Sequence, residues 1–192
     1  MCHAFLNDSN FYLLLYQIDK FLADDVQKAG CPFCRGVLHS AVYPRKPRGI
    51  PSLQRTLDHY DCRFSFCCAT DGCRKRCTPP SVRFLGRKVY LSVFIVLVNS
   101  LQHKLTRKRQ NALVEMLNIP AKTLSRWRKW WRETFSLSRC WKINSTQFLP
   151  LIAAQQLPDE LLTRLVGNTL KDRLCKLLQL ISPVTTASYA VI

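Results

Sequence analysis

Along residues 1–29 apolar side chains return every three or four positions, at Leu14, Ile18, Phe21, Leu22 and Val26. That is the spacing of one helix face, and Gly30 stands where such a helix would stop. The face reads either as a surface for a partner or, more simply, as a cap over the next segment of the chain. From Cys31 to Arg87 the helical period disappears. Tyr43-Pro44-Arg45-Lys46-Pro47-Arg48-Gly49-Ile50-Pro51 is a basic, proline-punctuated arm that cannot be a helix, because each proline removes a donor and restricts its predecessor. Arg63-Phe64-Ser65-Phe66-Cys67 alternates as a strand does, and Thr78-Pro79-Pro80-Ser81-Val82-Arg83-Phe84 is the expected return strand, its prolines on an open edge.

The second half reads as all helix. The longest uncharged apolar run, Val89 to Leu101, would extend roughly 20 Å as a helix, short of the ~30 Å hydrocarbon core of a bilayer. It therefore predicts a buried central helix and no membrane span. After it comes a basic cluster, Lys104, Arg107, Lys108 and Arg109, and then two helices joined by a short turn. Pro150 and Pro158 punctuate the chain before a final amphipathic helix over residues 159–181, with Leu161, Leu162, Leu165, Val166, Leu170, Leu174, Leu177, Leu178 and Ile181 as its stripe. That stripe could pair with a second copy as a homodimer, or pack on its own chain, which is the more economical arrangement. A loosely ordered tail is expected from Pro183 to Ile192.

Charge changes the picture more than length does. The chain of 192 residues carries a formal net charge of +17. Between Cys31 and Cys140 there are 22 Lys and Arg against 5 Asp and Glu, while the first thirty residues have 2 against 4 and residues 141–192 have 5 against 3. The excess is therefore concentrated in the middle, where it would raise association with a polyanion such as nucleic acid.

The ten cysteines are clustered, with Cys31-Pro32-Phe33-Cys34 answered by Cys67, Cys68, Cys73 and Cys77. The start Met1-Cys2-His3-Ala4-Phe5 lacks the basic segment and apolar core of a secretory leader, so a reducing, cytoplasmic setting and a tetrahedral Zn2+ site explain the clustering better than disulfides. Cys31 and Cys34, with Pro32 and Gly36 suited to a tight turn, form the first half of the site. For the second half the expected ligands are Cys68 and Cys73, which flank a turn containing Asp71-Gly72. Cys67 and Cys68 are neighbours on a strand and point to opposite faces, so only one of them can ligate. Cys67 remains the reserve ligand, Cys73 with Cys77 the competing pair, and Cys62 is more remote. Small basic modules of this kind owe their folding largely to the metal.

The segment Gln110 to Trp127 reads as a helix-turn-helix. Leu113, Met116 and Leu117 line the first helix, Asn118 tolerates the left-handed turn, Ile119 packs into the angle and Pro120 breaks the first helix. The second helix is expected to bury Leu124, Trp127 or Trp131, and Phe135. In such a motif the first residues of the second helix reach base edges, which here are Lys122, Thr123, Ser125 and Arg126. Arg128, Lys129 and Arg132 would grip the backbone, and Arg45, Lys46 and Arg48 of the arm would lie along phosphates. An ordinary helical hairpin with a basic surface is the plainer alternative. Tryptophans at this spacing are core residues more often than stacking platforms, with Trp130 the exception because it lies off the main stripe.

The order of these parts, a Cys-Pro-x-Cys knuckle, an aromatic strand into a second cysteine pair, Arg74-Lys75-Arg76, the Thr78–Phe84 segment, an apolar helix and a helix-turn-helix, resembles the zinc-ribbon DNA-recognition region of bacterial insertion-sequence transposases over about residues 31–135. It departs from that pattern in a second knuckle longer than Cys-x-x-Cys and in the extra cysteines around it. The resemblance implies a nucleoid-associated protein with Zn2+ as cofactor and double-stranded DNA as partner. Transposases of this kind cut DNA with three carboxylates holding two metal ions. Here Asp159, Glu160 and Asp172 are the only acids after Glu133, and no strand-rich segment is present to display a triad. His3, His39, His59 and His103 also lack any pattern pairing them with a reactive thiol.

The expected fold class is α+β, mostly α, a small zinc ribbon followed by a helical helix-turn-helix region. The expected division is an N-terminal helix (1–30), the ribbon with its arm (31–87), the buried helix with the helix-turn-helix (88–140), a C-terminal helical segment (141–182) and a tail (183–192). The expected function is sequence-specific DNA binding without nuclease chemistry. RNA binding, or service as an accessory subunit of a separate transposase, are the alternatives.

Overall fold

The computed structural model describes residues 8–45, 48, 60–86, 88, 90–100, 111, 115 and 118–186. Helix α1 spans Ser9–Ala29. It opens on Asp8, whose carboxylate accepts from the Asn10 N–H at 2.9 Å, and closes at Gly30, which takes φ 77°. Its fully buried residues are Phe11, Tyr12, Leu15, Asp19 and Ala23; of the stripe counted from the sequence, Ile18, Leu22 and Val26 pack partly buried against the core, while Leu14 and Phe21 face outward. A count of apolar positions misses this set because one member is an acid and another is alanine.

The ribbon beneath α1 is built on one antiparallel ladder. Strands β1 (Leu38–Ser40) and β4 (Phe66–Cys68) pair Leu38 with Cys68 and Ser40 with Phe66. Strands β2 (Tyr43–Pro44) and β3 (Cys62–Arg63) continue in the same register, with Tyr43 opposite Arg63. The Ala41 N–H donating to Ser65 O at 2.8 Å bridges the two stretches. The return strand β5 is Arg76–Cys77, pairing Phe66 with Cys77, so the three-stranded sheet runs β1-β4-β5. Thr78–Phe84 is therefore not the return strand. Its prolines withhold ladder donors, and among the described residues its one pairing is an isolated bridge from Phe84 to Leu91. A small cluster of Ala23, Cys31, Leu38, Phe66 and Cys68 seals α1 to the ribbon, which supports the cap reading of that helix.

The helical body surrounds α2 (Ser92–Ser100), all nine of whose residues are buried. Helix α3 (Ala121–Lys129) comes after a turn in which Asn118 takes φ 47° and Pro120 is extended, and it passes directly into a π-helical stretch, Trp130–Phe135. In an α-helix, residues spaced by four drift about 40° per step. The wider π-helical turn removes that drift, so Trp127, Trp131 and Phe135 are all buried rather than one tryptophan or the other. Helix α4 is Arg139–Asn144.

The single helix expected over 159–181 is two, α5 (Asp159–Arg164) and α6 (Leu170–Ile181). Thr169 caps α6 by a reciprocal bond with Asp172, and Val166 is left exposed in the break. The chain after α6 is ordered further than expected: Ser182–Thr185 forms a 3-10 turn, and Thr185 Oγ1 accepts from the Ser81 N–H at 3.0 Å. The basic cluster Lys104 to Arg109, residues Leu113, Met116 and Leu117 of the first motif helix, arm residue Lys46 and the tail from residue 187 lie outside the described residues. Among the described residues no helix is long and apolar enough to cross a membrane.

Candidate metal centre and nucleic-acid interface

Two tight turns bring four sulfurs together. In the first, Arg35 N–H donates to Cys31 O at 2.7 Å and Cys31 N–H to Gly36 O at 2.9 Å. In the second, Cys73 and Arg74 both donate to Thr70 O, at 3.1 and 3.2 Å. Each turn places an arginine in the left-handed region directly after its last cysteine, Arg35 at φ 60° and Arg74 at φ 43°. That conformation costs a non-glycine residue about 1–2 kcal/mol. It turns the next N–H, of Gly36 or Lys75, back onto the preceding sulfur. Gly36 is needed for a different reason: a Cβ there would lie 2.0 Å from Thr70 Oγ1 of the opposite turn.

Cys31, Cys34, Cys68 and Cys73 have sulfurs that all lie within 4.8 Å of one another, with Cys31 to Cys73 at 3.8 Å and Cys34 to Cys68 at 3.4 Å. A tetrahedron with metal–sulfur bonds of about 2.3 Å has sulfurs about 3.8 Å apart, so the four residues could hold one metal ion. Among the described residues no other group of three or more His, Cys, Asp or Glu side chains does so. Strand alternation decides between neighbours: Cys68 is buried beside Cys31, whereas Cys67 turns its sulfur toward Arg74 O at 3.5 Å. Cys77 packs at the edge of the small cluster on β5.

The electrostatics of the four thiols suit a cation. The Phe33 N–H, followed by that of Cys34, holds the Cys31 thiol below its ordinary range. The Gly36 N–H and then the Thr70 hydroxyl do the same for Cys34. At Cys73 the Lys75 N–H pulls downward, but lost hydration and the sulfurs of Cys34, Cys31 and Cys68 prevail and push the thiol up to about 11. Four thiolates this close repel one another unless a positive ion sits among them.

The basic residues expected on the motif separate into three groups. On α3 and its continuation, Lys122, Ser125, Arg126, Arg128, Lys129 and Arg132 are exposed and Thr123 is half-buried, opposite buried Leu124, Trp127 and Trp131. Lys129 shares its charge with Glu133 at 3.6 Å, both well exposed. Tyr90 braces the start of α3, its hydroxyl donating to Asn118 O at 2.9 Å and its ring standing edge-on to Trp127. Arg48 is exposed and bridges Tyr90 through the backbone. Arg45 is turned inward, donating to Gly86 O at 3.2 Å and Lys88 O at 2.9 Å, with its guanidinium over the Phe84 ring. Both of these bonds come from Nη2, so part of the guanidinium's donor set bonds within its own chain.

Lys88 was not among the expected site residues. Its ammonium lies 4.4 Å from the centre of the Trp130 ring, in a cleft of about 480 Å³ beside α3. Burial lowers its pKa to about 8. Nothing in the sequence separates this lysine from the other cations of the segment, because only the fold brings it to Trp130. No family model, no curated protein and no solved structure matches the chain.

Proposed function

We propose that the chain is a zinc-stabilised, sequence-specific DNA-binding protein, transposase-like in the order of its parts and without a carboxylate triad for DNA cleavage. The observation that carries this reading is the exposed face of α3. Lys122, Ser125, Arg126 and Lys129 project from α3, and Arg132 from its π-helical continuation; the opposite face is anchored in the core, and the helix begins after a sharp turn at Asn118–Pro120. A helix held in this way can enter the major groove as a rigid body. There Arg126 and Lys122 would meet guanine acceptors, while Lys129 and Arg132 hold phosphates. The concentration of positive charge between Cys31 and Cys140 supports a polyanionic partner.

Zinc is the metal favoured by an all-thiolate tetrahedral set, and a closed set of four protein ligands suits a structural rather than a catalytic ion. Its role would be to fasten the ribbon under α1. The reading is tested by fluorescence-anisotropy titration of duplex DNA across a range of salt. Binding should weaken with a log–log slope of about −0.9 per phosphate contacted, so several contacts give a steep line. A salt-independent affinity, or a preference for structured RNA over duplex DNA that survives Arg126→Ala, overturns it.

A further inference from the structure

The cleft beside α3 adds Lys88, Trp130 and Thr134 to residues of the groove-reading face. Lys88, Arg126 and Lys129 supply three cations, Thr123 and Thr134 supply hydroxyls, and Trp130 presents a half-buried indole. Its volume of about 480 Å³ lies within the roughly 300–1,000 Å³ of small-ligand sites. Phosphates along a duplex can be held by a convex row of cations, and a concave wall with an indole adds nothing to that task. A ligand that uses both cations and indole carries negative charge together with a flat aromatic face.

We propose that this cleft receives one unpaired nucleotide of the bound DNA strand, its base stacked on Trp130 and its phosphate held by Lys88 and Lys129. This rests on the DNA-binding reading above and adds a preference within it. The position supports the assignment, since Thr123, Arg126 and Lys129 belong both to the cleft and to the face assigned to the DNA, so a nucleotide leaving the duplex there has a short path inward. Lys88 now rests on the indole, and among the described residues no carboxylate pairs with it. An entering phosphate gives its ammonium a counterion and frees the ring face for the base. Base–aromatic stacking contributes enough to favour the unpaired nucleotide by about five- to hundredfold.

The test compares two labelled duplexes of one sequence, fully paired or carrying a single extrahelical nucleotide, by fluorescence anisotropy. The proteins are the wild-type chain, Trp130→Ala, Trp130→Phe and Lys88→Met, each checked for folding by circular dichroism. The wild type should prefer the bulged duplex. Trp130→Ala should lose the preference while keeping its affinity for the paired duplex, Trp130→Phe should retain most of it, and Lys88→Met should reduce it. Equal binding of the two duplexes by the wild type overturns this proposal and leaves the DNA reading standing. Binding of neither overturns both. If a deoxynucleoside monophosphate quenches Trp130 while the duplexes bind equally, the cleft serves a free nucleotide and the proposal also fails.

Discussion

Asp19 and Arg83 form a fully buried ion pair, with Arg83 Nε 2.8 Å from Asp19 Oδ2 and neither side chain exposed. The pair ties the middle of α1 to the segment C-terminal to the ribbon. Asp19 also accepts from the Ser81 hydroxyl and the Val82 N–H, both at 2.6 Å. Arg83 donates in turn to the carbonyls of Tyr60 and Cys62, and its guanidinium lies over the rings of Tyr16, Tyr60, Phe64 and Phe84. Ribbon, helix and connecting segment therefore meet at a single guanidinium. Removing one partner of such a pair leaves a buried charge uncompensated, which costs about 3–5 kcal/mol. Asp19→Ala and Arg83→Met should each lower stability in urea denaturation by that order. The double variant should recover only partly, since the carbonyls and donors around the pair stay unsatisfied. Losses well under 1 kcal/mol would mean that the junction does not hold the fold.

The same pair shows what the sequence could and could not convey. Helical spacing revealed α1, but its buried face runs through Asp19 and Ala23, which an apolar count skips. Strand alternation allowed only one of Cys67 and Cys68 to ligate, and the spacing of Cys68 to Cys73 across the Asp71-Gly72 turn pointed to Cys68, both local rules. The left-handed conformations at Arg35 and Arg74 had no such signal, because arginine seldom adopts them and tertiary constraint imposes them here. The break between α5 and α6 was written in Thr169 and Asp172, a capping pair hidden by the continuous leucine stripe. For Arg45, a run of charge gave no indication of which cation would turn inward.

Metal removal should act first on the ribbon. Its own apolar cluster is small, whereas structural zinc contributes about 10–16 kcal/mol in small zinc-finger peptides. Exhaustive chelation should make the four clustered thiols reactive to an alkylating reagent and lower the melting temperature, with reversal on adding Zn2+. Cys68→Ser should behave as the chelated protein does, and Cys67→Ser as the wild type. Unchanged circular dichroism and thiol reactivity after chelation would remove zinc from the account.

On α3, Arg126→Ala should cost about 1–3 kcal/mol of DNA affinity and relax the preference for one base pair. Arg132→Ala should instead weaken all duplexes alike and reduce the salt slope by about 1. Both side chains are exposed, so thermal stability should hardly change. Binding curves for several sequences, measured at two salt concentrations, separate the two effects.

Lys88 makes binding at the cleft depend on pH. Its pKa is lowered by burial from 10.5 to about 8. Between these values the unfolded chain keeps a proton that the folded chain has lost, so the contribution of Lys88 to stability rises with pH through that window. Anion binding runs the other way: the ammonium that meets a phosphate is present below about 8 and is lost as pH rises. Affinity for the bulged duplex should therefore fall above pH 8, by up to about tenfold per unit. Arg126, Lys129 and Tyr90 share the cleft and Glu133 pairs with Lys129, so Lys88→Met is the control. Its affinity should change less over the same range.

The most direct test of the central claim is selection of duplex DNA from a random-sequence pool, with zinc counted by native mass spectrometry on the same sample. The account predicts one recurrent sequence motif, one zinc per chain, and loss of the enrichment when the metal is chelated. A metal-free chain, or a pool that stays unenriched with zinc bound, would contradict it.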